Sequence, residues 1–487
     1  MSVWTWLAET ARDLREGGHA ELADAVARLP QLAADGDAAR IATLLPPARR
    51  AARDAGAPAW LPAFLDHWPV AARVGDRAEG TVALPDALAQ LDNAHPESGR
   101  AGCPPAVCAA ENALACYATI DGPGYVVDRA ALLTRARAHT RPGHPAFPAL
   151  ALAHADTLVD DDRPDEAVAE LDARAADVRA TGGRVGIDYA FGYVRALRHQ
   201  DRHADALAAL GRIEAAGTAP WPSGPVRSAA LRRIRVERAR LLAWLARTGR
   251  CPVEDAVDAL PDLRDADAHP ALRPAWAEAA ENLAAHGALR NDWRLGVTLT
   301  TWSRYCERVG AHRPCLELSL SAARLAAARG ARWVAESAVL RAERALARVR
   351  RVDDPAGDLA EARAAVGAVP PVVLPVPAAD LLALLRTEPP EQVDPERQAD
   401  LVVAALPYRP DDASLLNALG QVGRTLMLTD VAAEPQWRHV RRMPGDQKAA
   451  LSLLETLLYD NDTAGVRTLV RTLTDAALIT PEPARVR

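Results

Sequence analysis

Apolar residues in this chain recur at spacings of three and four far more often than they alternate, and this is the pattern of helices with one buried face. The stretch from Ala149 to Ile213 shows it most regularly. A helical run ending near Leu158 meets the polar turn Asp160-Asp161-Asp162-Arg163-Pro164 and resumes as GluAlaValAlaGluLeu. A second run, Tyr189 through Leu197, turns at Gln200-Asp201-Arg202-His203 and resumes as AspAlaLeuAlaAlaLeu. The equivalent residues Ala167 and Ala206 stand 39 positions apart. A helical hairpin cannot bury its own apolar stripe, so a repeat of this length predicts hairpins stacked on one another. Within each hairpin a second interval recurs: Leu158 to Ala167, Leu197 to Ala206 and Leu14 to Ala23 are each nine apart.

The same spacing predicts a first hairpin over 4–29, a helix over 37–55, and another hairpin opened by 59–68. That hairpin turns at Gly75-Asp76-Arg77, and Pro85-Asp86 is expected to cap its second helix. Residues 93–104 read as loop, followed by a helix over 105–119 that Asp121-Gly122-Pro123-Gly124 terminates. Further helices are expected at 226–247, 252–266, 270–286, 290–309, 314–329 and 331–350. The segment PVVLPVP places a rigid, extended stretch at 368–377. Beyond it helices are expected at 379–386, 394–406, 411–428, 446–459 and 462–478. The expected organisation is therefore a repeat array over 1–367, a proline-rich linker over 368–377, and a helical domain or cap over 378–487.

Composition narrows the class further. The apolar fraction is 49% but the aromatic fraction only 4%, so alanine, leucine and valine carry the pattern. Alanine and leucine are strong helix formers. The fold class is all-α. The net charge of −6 argues against a general nucleic-acid binder. Lys448 is the only lysine, and its context, Gly445-Asp446-Gln447-Lys448-Ala449, is no phosphate-binding loop. The arginine bias reads as that of a GC-rich bacterial genome. The first residues, MSVWTWLAETARDLREGG, lack a basic leader region, and 366–379 is too short and too proline-broken to span a bilayer. Six cysteines in so long a chain make no disulfide framework. The expectation is a cytoplasmic protein without a membrane segment.

At this point the hairpins resemble the tetratricopeptide-repeat family, whose repeat has two helices with small residues where they cross. Ala155, Ala167, Leu158 and Leu171 would fill the small and large positions in one unit, and Val194, Leu197, Ala206 and Leu210 in the next. Ser303, Cys306, Cys315 and Ser319 would do so in a later one. The period is longer than the roughly 34 residues of that family, and the usual tyrosine and proline at unit ends are absent. The resemblance implies an α-solenoid that holds a peptide or protein partner on the concave face of its first helices. Mapped through the family pattern, that face would receive Asp156, Asp160, Asp188, Phe191, Arg195, Arg198, His199, Arg304 and Arg308. An acidic patch beside an arginine patch suits a charged peptide, against the plainer reading of a solvated helix face.

Other chemistry is weaker. His95, Cys103, Cys108 and Cys116 offer four ligand types for zinc, but their spacing lacks the tight Cys-x2-Cys knuckle, and buried small cysteines are the plainer reading. Cys306 and Cys315 read as close packing across a hairpin. Cys251 lies at a turn. His199 and His203 have the spacing of two ligands on one face, but they straddle a turn and read as surface. The helix over 226–247 carries Arg227, Arg232, Arg233, Arg235, Arg238, Arg240 and Arg247. These read as stems covering an apolar seam before they read as phosphate contacts, since no aromatic platform accompanies them. No catalytic motif of the hydrolase, zinc-protease or dinucleotide type occurs, and no cofactor is expected. The sequence therefore points to a non-enzymatic scaffold for a protein or peptide. A regulatory sensor whose array responds to a peptide or small molecule is the alternative, and an RNA-associated or enzyme-accessory subunit is a weaker one.

Overall fold

Alanine- and leucine-rich segments broken by short polar turns favour helices that pack closely through small side chains, and the computed structural model is built of such helices. It describes residues 3–34, 37–57, 60–74, 78–93, 105–138, 140, 146–180, 187–215, 225–267, 270–351, 353–387, 394–476 and 478. No strand occurs among the described residues. The fold is all-α.

The helices are, in order, α1 Val3–Glu16, α2 Ala20–Ala34, α3 Ala38–Asp54, α4 Trp60–Val74, α5 Gly80–Asn93, α6 Pro105–Asp121, α7 Val126–Arg137 and α8 Phe147–Asp160. There follow α9 Pro164–Ala180, α10 Ile187–His199, α11 His203–Ala215, α12 Pro225–Arg247, α13 Val253–Ala259, α14 Leu263–Asp267, α15 Arg273–Ala285 and α16 Trp293–Val309. The remainder are α17 His312–Arg329, α18 Arg332–Leu346, α19 Asp353–Gly367, α20 Leu381–Leu385, α21 Pro395–Ala405, α22 Ala413–Thr425, α23 Thr429–Arg442, α24 Gln447–Tyr459 and α25 Thr463–Asp475. Two compact units emerge. Unit 1 comprises Met1–Leu289, Tyr305–Cys315 and Ala345–Val352; unit 2 comprises Arg290–Arg304, Leu316–Arg344 and Asp353–Arg487.

One turn joins the hairpins of both units. After α8 the chain visits the left-handed region at Asp162 (φ 56°), and the N–H of Arg163 bonds back to the carbonyl of Leu158 at 2.9 Å. Asp201 (φ 55°) and the Arg202 N–H to Leu197 O bond at 2.9 Å repeat this after α10. Gly18, Gly310, Gly330, Met427 and Asn461 also have positive φ, and the bonds His19 to Leu14, Ala311 to Cys306, Ala331 to Ala326, Leu428 to Gly423 and Asp462 to Leu457 are the same. This six-to-one bond closes a Schellman cap, which satisfies carbonyls left free at a helix C-terminus. The capping residue's own carbonyl then receives the next helix's amide: Arg163 O from Ala167 N, Arg202 O from Ala206 N, Ala311 O from Cys315 N. Five residues back and four forward make nine. The recurring nine-residue interval is the imprint of this turn.

Neighbouring hairpins are tied by hydrogen bonds about one hairpin apart in sequence. Arg195 reaches Asp156 at a separation of 39, Gln200 reaches Asp165 at 35, and Arg240 reaches Glu278 at 38 in unit 1. In unit 2 Arg329 reaches Asn291 at 38 and Lys448 reaches Ser414 at 34. Within unit 1, α12 also packs against α2, far earlier in the chain.

Several expectations are corrected. Pro85 does not cap a helix: α5 begins at Gly80, where Glu79 O accepts from Ala83 N at 3.0 Å, and Pro85 sits in its second turn. The stretch 252–266 is two short helices, α13 and α14. The stretch 411–428 ends as a helix at Thr425, and α19 and α23 were not anticipated. The proline-rich segment is no free linker. Val372, Leu374 and Val376 pack on Leu381, Leu401, Ala405 and Leu415 inside unit 2, so neither unit boundary falls at 368–377.

Candidate functional site

Helices α8, α10, α12 and α15 all belong to unit 1, with α8 packed on α10 and α12 on α15. Each turns its small and apolar residues inward: Ala151, Ala155, Ala196, Leu241, Ala243, Ala279 and Leu283 are all buried. The helical period then places the intervening charged residues together on another face.

On α8 and α10 this face is a pair of aspartates bridged by one arginine. Arg195 Nη1 donates to Asp156 Oδ1 at 3.0 Å and to Asp156 O at 3.1 Å, while Nη2 donates to Asp160 Oδ1 at 2.5 Å. Asp160 also accepts from Arg129 of α7, whose side chain is 2% exposed, and its backbone carbonyl accepts from Arg351 Nη1 at 2.9 Å. Burial alone would push the Asp160 carboxyl up, but Arg195 and Arg129 hold it below the usual carboxylate range. Burial likewise opposes the charge on Arg195, and its two aspartates more than restore it, raising the guanidinium.

On α12 and α15 the arrangement is reversed, one glutamate serving two arginines. Glu278 accepts from Arg240, and Arg198 of α10 lies 3.7 Å away. Burial would raise Glu278, and Arg240 and Arg198 bring it below its ordinary value. Arg198 is pushed down to about 10, first by burial and then by the neighbouring Arg240. Its Nε is buried with no partner among the described residues. Arg247 Nη1 donates to Asn282 Oδ1 at 2.9 Å, extending the row by another turn. These groups are densely surrounded by protein yet reach water: the side chains of Arg195, Asp156 and Glu278 are 30%, 32% and 38% exposed. The row is thus partly open to water along its length.

The other expected face residues fall differently. Phe191 is buried in a core cluster, and Arg233 stacks over its ring at 4.0 Å. Phe191 therefore anchors packing and does not present a binding surface. His199 stays open at the end of α10 and is pushed down to about 4 by the surrounding protein and then by Arg198 and Arg195. Asp188 lies on α10, with its side chain outside the described residues. Arg304 is held within unit 2, donating to Met427 O at 2.9 Å and pairing with Asp460, and Arg308 is exposed in unit 1. The structure thus brings Asp156, Asp160, Arg195, Arg198 and His199 together, and adds Arg129, Arg240, Glu278 and Asn282. The separations of 39 and 38 between partners were the available signal, since they match the hairpin period.

Of the zinc candidates, His95 and Cys103 lie outside the described residues, and Cys108 is in a disulfide. Cys116 is buried, its thiol pushed up to about 12 by burial and then by Asp86. Cys306 and Cys315 are buried at two ends of a nine-residue interval. His203 is a correction to its surface reading: it is 5% exposed and stacks on Trp244 at 3.5 Å with the rings nearly parallel. In α12, Arg233, Arg240 and Arg247 are spent on Phe191, Glu278 and Asn282; the side chain of Arg227 lies outside the described residues. Among the described residues no helix is long and apolar enough to cross a membrane. The chain matches no protein-family model and none of the curated proteins.

Proposed function

We propose that the chain is a non-enzymatic scaffold, a tetratricopeptide-like array that holds a protein or peptide partner along the charged face of α8, α10, α12 and α15. One observation carries this reading: successive first helices present charged side chains that pair from hairpin to hairpin while remaining open to water. Such a row is pre-organised, because its side chains are already held in place before a partner arrives. It also retains unmet capacity, since the side chains of Asp156 and Glu278 stay partly exposed. A peptide of mixed charge supplies both signs of complement and gains specificity from register more than raw affinity.

The test is partner capture from the native cell extract by the full chain, followed by the neutralising changes Asp156→Asn and Glu278→Gln, which remove two partly exposed carboxylates without setting like charges side by side. Loss of the captured protein by a chain that still folds, judged by its circular dichroism, supports the scaffold. Undiminished capture by the neutralised chain sinks it.

A further inference from the structure

Unit 2 contains a cleft of about 530 Å³ whose lining holds two cations and no carboxylate. Its apolar wall comes from Trp293, Leu382, Leu385, Val402 and Val422, and its rim from Gln398, Asn417, Gln421, Arg386 and Lys448. No carboxylate lines it, in a chain where acids outnumber Lys and Arg together by 64 to 58. Two other clefts of unit 2 mix the two signs: Asp292, Asp394, Glu396 and Asp400 stand with four arginines in one, and Asp430, Glu434, Asp460 and Asp462 with three in the other. There the acids offset the cations, whereas here Arg386 and Lys448 face no carboxylate in the lining.

The rim is also unspent. Arg386 and Lys448 are exposed, and Lys448 Nζ donates only to Ser414 Oγ at 2.7 Å, leaving two of its three N–H groups. Among the described residues the side chains of Arg386, Asn417, Gln398 and Gln421 form no hydrogen bond or ion pair. Half of the lining side chains are apolar, and an apolar wall facing placed polar groups in a cleft of a few hundred Å³ is a form that small-molecule sites take. We propose that this cleft binds a small amphipathic carboxylate, its apolar tail against Trp293, Leu385, Val402 and Val422 and its carboxylate between Arg386 and Lys448. Arginine and lysine supply charge-assisted donors to one end of the ligand, and the carboxamides accept or donate to whatever polar atoms flank it.

Three ligands with one tail and different heads separate the contributions: decanoate, decanol and decyltrimethylammonium, titrated calorimetrically into the full chain. Decanoate is expected to bind at least about tenfold more tightly than decanol, the cation not at all, because one charge-assisted contact is worth about that factor. Arg386→Gln with Lys448→Gln removes the preference for decanoate over decanol. Asn417→Asp, which places a carboxylate in the cleft, abolishes decanoate binding by a separate route. Equal affinity for decanoate and decanol overturns the proposal, as does binding that both variants leave unchanged or the absence of any decanoate binding. None of these outcomes touches the partner-capture test on unit 1, so the two readings stand or fall apart.

Discussion

Asp160 is the residue on which the charged face of unit 1 turns, and replacing it tests whether that face is built as described. In Asp160→Ala, Arg195 keeps Asp156, but Arg129, 2% exposed, loses the one carboxylate it pairs with among the described residues and keeps the Gly122 carbonyl at 3.2 Å. Breaking a buried ion pair from one side costs about 3–5 kcal/mol, because the remaining charge is left uncompensated in a low-dielectric surrounding. At about 2–4 °C per kcal/mol for large domains, the melting temperature of unit 1 should fall by on the order of 10 °C. Hydrogen exchange should locate the loss in α7, α8 and α10. The double change Arg129→Met with Asp160→Leu removes both charges and should recover most of the loss. The pH dependence carries its own sign. The folded carboxyl titrates lower than the unfolded one, whose ordinary value is 3.8. Its contribution is therefore complete above that value and disappears as pH falls through the folded one. The gap between wild type and Asp160→Ala should be constant at neutral pH and close in strong acid. A loss below about 1 kcal/mol, or a double variant no better than the single, would show that the network behaves as a surface pair.

Further outcomes follow from other sites. Asp400, buried beneath the start of α18, accepts from Arg332 N at 3.0 Å and Trp333 N at 2.7 Å, yet burial pushes its carboxyl up to about 6. Between the ordinary 3.8 and that value the folded chain binds more protons than the unfolded one, so unit 2 should lose stability as pH rises through that window, and Asp400→Asn should flatten the slope. A Cβ on Gly423 would stand 2.5 Å from Ala432 Cβ, whereas one on Gly211, inside α11, would meet nothing within 4 Å. Gly423→Ala should cost about 1–3 kcal/mol in chemical denaturation, and Gly211→Ala should add about 0.5–1 kcal/mol.

What could be read from the sequence was what repeats locally. The interval from Leu158 to Ala167 is legible because one turn, closed by one cap, produces it wherever a hairpin bends. Helix α23 was not legible, since the residues it buries include Gln436 and His439, which apolar periodicity does not count. The proline-rich segment was misjudged for the opposite reason: its valines and leucine pack on α20, α21 and α22, and nothing in a local window shows which surface receives them. For the charged face, Asp156, Asp160, Arg195, Arg198 and His199 were legible as helix-face positions. Their pairing was not, because Arg129 and Glu278 reach them from other helices.

The packing of α12 against α2 changes how unit 1 should come apart. A row of hairpins that touch only their neighbours frays from its free end, each hairpin opening at its own small cost. Here the second helix of the chain is fastened to one much later, and the N-terminal hairpin cannot peel away without also stripping α12. The end that would otherwise open first becomes part of the last cooperative block to exchange its amide hydrogens, and shortening the chain from its N-terminus should loosen residues near 225–247 before it loosens those between.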